Sequence, residues 1–77
     1  MYEVSIYCGG TPIAVYNIGK LSELEKVISE YDNVIVDVVD TNMKRYVLTV
    51  EIRKPELKIL HESLTENERK EINKALN

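Results

Sequence analysis

Phenylalanine and tryptophan are missing from this sequence, and cysteine and histidine occur once each, as Cys8 and His61. A single cysteine excludes an internal disulfide and suits a reducing compartment. A Cys/His zinc site would need carboxylates or a second chain to complete its ligand set. No apolar run approaches the roughly 20 residues of a membrane-spanning helix. Met1 leads straight into the alternating Tyr2-Glu3-Val4-Ser5-Ile6, without the basic start and continuous apolar stretch of a signal peptide. The expectation is a cytoplasmic chain with no membrane segment, no metal and no cofactor.

A basic excess is missing too. The net charge is −3, which argues against a dedicated nucleic-acid binder. The charge is uneven: residues 1–40 carry −5 and residues 41–77 carry +2. A local basic patch in the second half therefore stays open, built from Lys44, Arg45, Arg53, Lys54 and Lys58.

What is present is patterning. The 77 residues read as a single domain, 1–77. A domain this small buries only about 60% of the surface its unfolded chain exposes, so self-association or a partner is the natural supplement to a thin core. Residues 2–8 alternate with period two, placing Tyr2, Val4, Ile6 and Cys8 on one side and Glu3, Ser5 and Tyr7 on the other. Gly9-Gly10-Thr11-Pro12 is a turn, and residues 13–18 form a second strand of an antiparallel hairpin. Leu21, Leu24, Val27, Ile28 and Tyr31 recur at helical spacing, and Ser22 with Glu25 has the form of a capping box. Asp32-Asn33 ends that helix, with Asn33 as a left-handed cap.

Residues 34–39 and 45–53 make a second hairpin across the polar turn 40–44. In the latter strand Tyr46, Leu48, Val50 and Ile52 take the buried positions. Residues 56–64 support two readings, a helical one on Leu57, Leu60 and Leu64 and a short strand on Leu57 and Ile59. Thr65 and Glu68 form a second capping box, and Ile72, Ala75 and Leu76 line the narrow apolar side of a terminal helix. The expected fold is α+β, ββαββ(α): a four-stranded, mainly antiparallel sheet with one amphipathic helix on a face, and a helical C-terminal tail over 56–77.

Candidate chemistry is sparse. Cys8 continues a buried alternation and reads as a small apolar core residue. His61 reads as a surface histidine. Asp37 is the one acid out of place in an apolar strand, and an outward or edge-guarding position explains it. The glycines join two strands and precede no helix and lysine, so they do not make a phosphate loop. The sequence reads as a non-enzyme.

The stronger feature is the sheet face opposite the first helix. Tyr7, Val15, Ile35, Val39 and Val47 put more apolar surface there than a solvated face carries comfortably, and Tyr16 joins Tyr7 as a contact tyrosine. The C-terminal segment, a second copy or a foreign protein could cover that face. The leading expectation is a small protein-interaction module, a regulator or inhibitor of a larger protein, acting through this face or an edge strand as a homodimer or on a partner. Its size and composition are in the style of phage or mobile-element proteins that act on host or defence machinery. The alternative is a nucleic-acid-associated regulator using the 44–58 hairpin, with Lys44, Arg45, Arg53 and Lys54 on phosphates.

Overall fold

The computed structural model describes residues 1–76, with side chains described through Ile72. In chain order it holds β1 (Tyr2–Cys8), β2 (Thr11–Ile18), a short 3-10 turn (Leu21–Glu23) running into α1 (Leu24–Ser29), β3 (Val34–Asp40), β4 (Arg45–Arg53), β5 (Glu56–Glu62) and α2 (Glu66–Leu76). The strands form one antiparallel sheet in the order β2-β1-β3-β4-β5. The fold is α+β as expected, with five strands rather than four.

The fifth strand comes from the stretch that supported two readings. Residues 56–62 pair with the free edge of β4, joining Ile52 to Leu57, Val50 to Ile59 and Thr49 to His61. Leu60 falls at a bulge in that pairing, so the Leu57–Leu60 spacing belongs to an irregular strand and not to a helix. The helical tail is thereby shortened to α2.

The hairpins follow from local chemistry. Gly9 and Gly10 have φ of 59° and 83°, and Cys8 pairs with Thr11. A two-residue loop with both central residues at positive φ matches the right-handed twist of the flanking strands. Asn33 takes φ 58°, but α1 ends earlier than expected, with Glu30 as its C-cap, so Asn33 turns the chain into β3 and does not cap the helix. The start of that helix differs from the Ser22–Glu25 expectation. The Glu23 carboxylate accepts from the N–H groups of Gly19 (2.9 Å) and Lys20 (3.2 Å), so the cap sits two residues earlier, at Lys20.

One layer of helix covers one face of the sheet. Val4, Ile6, Val36, Val38, Leu48, Val50 and Ile52 point from the strands into a core completed by Leu21, Leu24, Val27, Ile28 and Ile72. Each such aliphatic side chain contributes roughly 1.5–3 kcal/mol when taken out of water. The terminal helix joins this same core through Ile72 and packs against the 3-10 turn and α1. The expected contributions of Ala75 and Leu76 lie outside the described side chains.

Polar contacts fix α2 in place. The Thr65–Glu68 capping box forms as expected: the Thr65 N–H donates to Glu68 Oε1 at 2.9 Å, and the Glu68 N–H to Thr65 Oγ1 at 3.2 Å. The Tyr2 hydroxyl donates to Glu68 at 2.8 Å, and Arg45 donates to it at 2.9 and 3.1 Å. The Leu21 N–H donates to Glu71 at 2.9 Å, and Arg69 pairs with Glu62 on β5. The C-terminal segment is therefore held on the helix-covered side. Of the three possible covers for the second sheet face, the described residues of the chain's own tail do not supply one.

Candidate interaction face

The helix-free face is ordered by cross-strand register. Three rows run across it. Asn17, Glu3, Val39 and Tyr46 lie in the first. Val15, Ser5, Asp37, Thr49 and His61 lie in the second, and Pro12, Tyr7, Ile35, Glu51 and Lys58 in the third. The outer rows carry most of the apolar groups, with Val15 at the β2 end of the middle row. The middle row is polar along the sheet's centre, where the Thr49 hydroxyl donates to Asp37 at 2.7 Å. Asp37 is thus an outward strand residue held by its cross-strand neighbour. Tyr7, Ile35 and Val39 are half-buried among these neighbours.

Four of the six expected contact residues, Tyr7, Val15, Ile35 and Val39, lie on this face. Val47 and Tyr16 do not. Val47 is 0% exposed and belongs to the core. Opposite β4, Val38 pairs with Leu48 and Val39 with Tyr46, leaving Val47 as the extra residue of a bulge. A bulge slips the alternation by one position. Tyr46, expected in the core, is consequently turned outward and is 61% exposed; it replaces Val47 on the open face. Tyr16 packs against the helix-side core and hydrogen-bonds Tyr31 hydroxyl to hydroxyl, with the rings edge to face at 6.2 Å between centroids. That bond holds the Tyr31 hydroxyl's pKa above its ordinary value.

A groove of about 310 Å³ opens at one end of the face, lined by Tyr7, Ile35, Glu51, Arg53 and the Gly9–Gly10 turn. Arg53 reaches Glu51 at 3.5 Å. Glu3, Asp37 and Glu51 make the face acidic between its apolar groups, with Lys58 and Arg53 toward one side.

The alternative basic surface is not assembled in one place. Lys44 and Arg45 stand at the start of β4, and Arg53 and Lys54 at its end, about 27 Å away along an extended strand. Three of the four are already engaged. Arg45 is bound to Glu68, with Asp40 4.0 Å away. Arg53 pairs with Glu51, and the Lys54 ammonium donates to the Ser29 carbonyl at 2.9 Å.

The two reactive side chains also stand apart. Cys8 is exposed at the end of β1 and not buried as the alternation suggested, because the strand leaves the helix-covered core at the glycine turn. His61 lies on β5, three strands and about 14 Å across the sheet, so the two do not form a nucleophile–base pair. Among the described residues, no three His, Cys, Asp or Glu side chains come together in a metal-binding group, and no helix is long and apolar enough to cross a membrane.

The electrostatic centre of the molecule is on the other side, around Glu68. Burial pushes this carboxyl upward, but hydrogen bonds from the Thr65 N–H, Arg45 and Tyr2 outweigh it and hold it at about 2. Tyr2 is pushed up to about 12 by burial first, then by its bond to the Glu68 carboxylate. This cluster is structural: it fastens α2 and so leaves the opposite face free. No protein-family model, curated protein or solved structure matches this chain.

Proposed function

We propose that this chain is a non-enzymatic protein-interaction module, a regulator or inhibitor of a larger protein, and that it binds its partner through the helix-free sheet face. The observation that carries the reading is the placement of both helices on one side. On the other side Tyr46 is 61% exposed, and Tyr7, Ile35 and Val39 are half-buried among their strand neighbours with no described helix over them. Their chemistry describes the partner. Apolar groups in two rows ask for an apolar contact area, and the Asp37 row between them asks for a basic group at its centre, since a buried carboxylate needs a charged or hydrogen-bonded partner. Core aromatic groups and a polar rim are usual in such interfaces.

The test is site-directed photocrosslinking in cells of the protein's source, with the photoreactive residue placed at Val39 or Tyr46. The expected result is one discrete adduct with a larger protein, weakened when Tyr7 and Ile35 are changed to Ser. An adduct formed only from positions on the exposed side of α1, such as Glu25, would overturn the reading.

A further inference from the structure

The two edges of the sheet are built differently. The β5 edge carries Glu56, Lys58, His61 and Glu62 along its length and is broken by the bulge at Leu60. Charges and bulges of this kind protect an edge from pairing with another chain. The β2 edge has no charged residue: it reads Thr11-Pro12-Ile13-Ala14-Val15-Tyr16-Asn17-Ile18. Pro12 and the irregularity near Ile13 interrupt only its start. Ala14–Ile18 pairs regularly with β1 on one side and turns its other edge outward. Ile13 and Val15 on this strand are 52% and 57% exposed.

Beside this edge, on the helix side, lies a groove of about 360 Å³ between β2 and α1. Tyr16, Ile18 and Val27 supply its apolar lining, with Lys26 and Glu30 among its charged members. A strand added to β2 would place alternate side chains in that groove, the general arrangement of strand-addition recognition.

We infer that the β2 edge pairs with the β2 edge of a second copy of this chain, antiparallel about a two-fold axis near Val15 and Tyr16, to give a dimer with a continuous ten-stranded sheet. The choice of a second copy rests on self-complementarity. An isologous contact sets every residue against its own surface patch, so a charged strand risks like-charge pairs there, whereas β2 brings none in any register. The copy's Ala14, Tyr16 and Ile18 are also uncharged occupants of the kind the groove lining fits, and the two grooves merge about the axis. The dimer also supplies the burial that a 77-residue chain lacks on its own. This goes beyond the partner-binding reading and does not depend on it.

Light scattering and sedimentation of the purified chain test it. The wild type should run at twice the 8.9 kDa chain mass. Val15→Lys should halve that mass, because lysine on an edge opposes pairing and would be repeated close across the axis. Ile59→Lys on the other edge, and Val39→Lys on the open face, should leave the dimer intact, which separates this inference from the face reading. Should Val15→Lys fail to fold by circular dichroism, amide exchange of the wild type decides: β2 protection should rise with protein concentration. A wild type that stays at monomer mass, a dimer untouched in folded Val15→Lys, or one lost in Ile59→Lys would overturn the inference.

Discussion

The guanidinium of Arg45 lies 2.9 Å from the Glu68 carboxylate and ties the beginning of β4 to α2. The Tyr2 hydroxyl reaches the same carboxylate from β1. Both ends of the stability profile against pH follow from this cluster. The Glu68 pKa is held at about 2, below its ordinary 4.5. The unfolded chain therefore binds the proton first, and the contribution of Glu68 is complete above pH 4.5 and lost as pH falls toward 2. It is worth on the order of 2–3 kcal/mol. Tyr2 behaves oppositely. Its pKa is raised from 10 to about 12, so the unfolded chain loses its proton first and stability drains as pH rises between those values. Chemical denaturation across pH should show both limbs. Glu68→Gln should lower the plateau by about 1–3 kcal/mol and flatten the acid limb.

Tyr46 and Val47 give a second test, because they exchange the places that strict alternation assigns them. Val47→Ala should cost roughly 1–3 kcal/mol, the transfer of its side chain plus the space left behind. Tyr46→Ala should cost less than about 1 kcal/mol, the scale of an exposed strand position. Urea midpoints of the two variants measure the difference, and the reverse ranking would place the bulge elsewhere.

That exchange shows what period-two reading can and cannot reach. β1, β3 and most of β4 were legible because each has one face against the helices, and burial forces alternation there. Val4 and Ile6, Val36 and Val38, and Val50 and Ile52 fall where the pattern puts them. The same rule sets Tyr7, Ile35 and Val39 on the open side, whereas in β2 either Ile13 and Val15 or Ala14, Tyr16 and Ile18 could face inward. A bulge adds one residue without a compositional mark, so Arg45-Tyr46-Val47-Leu48 reads as unbroken alternation. Tyr16 lies on the helix side and not on the contact face, a difference alternation cannot settle because β2 carries apolar residues on both sides. β5 was hidden because Leu57, Ile59 and Leu60 satisfy helical and strand spacing at once, and only the vacant edge of β4 decides between them.

The Gly9–Gly10 turn is tested by Gly9→Ala. Nothing lies within 4 Å of the position a β-carbon would take, so the cost is purely conformational. A non-glycine residue at positive φ costs about 1–2 kcal/mol. The urea midpoint should fall accordingly with an unchanged slope, since slope follows the surface exposed on unfolding and no packing changes.

Duplex DNA offers a further test through the spacing of the cations. With Lys44 and Arg45 at one end of β4 and Arg53 and Lys54 at the other, few phosphates are neutralised together. The slope of affinity against salt is set by that number. Any binding to mixed-sequence duplex should therefore be weak and vanish by physiological salt, as read by fluorescence anisotropy. Tight binding with a steep salt slope, abolished by Lys44→Glu with Arg53→Glu, would instead favour the nucleic-acid reading.

Val39→Lys separates binding from folding on the open face. Val39 sits between Glu3 and Tyr46 in the first row. A lysine there gives up strand preference within the roughly 1 kcal/mol span of that scale, and its ammonium gains an acidic cross-strand neighbour worth roughly 0.2–1 kcal/mol in return, so the thermal midpoint should move by no more than a few degrees. The same substitution puts a cation in the middle of an apolar row that faces a partner carrying its own basic group. Crosslinking from Tyr46 should then fall at least tenfold in a protein that is folded by circular dichroism. Because the fold survives, loss of the adduct can be assigned to the face, and an adduct that persists at wild-type yield would move the contact surface off the sheet.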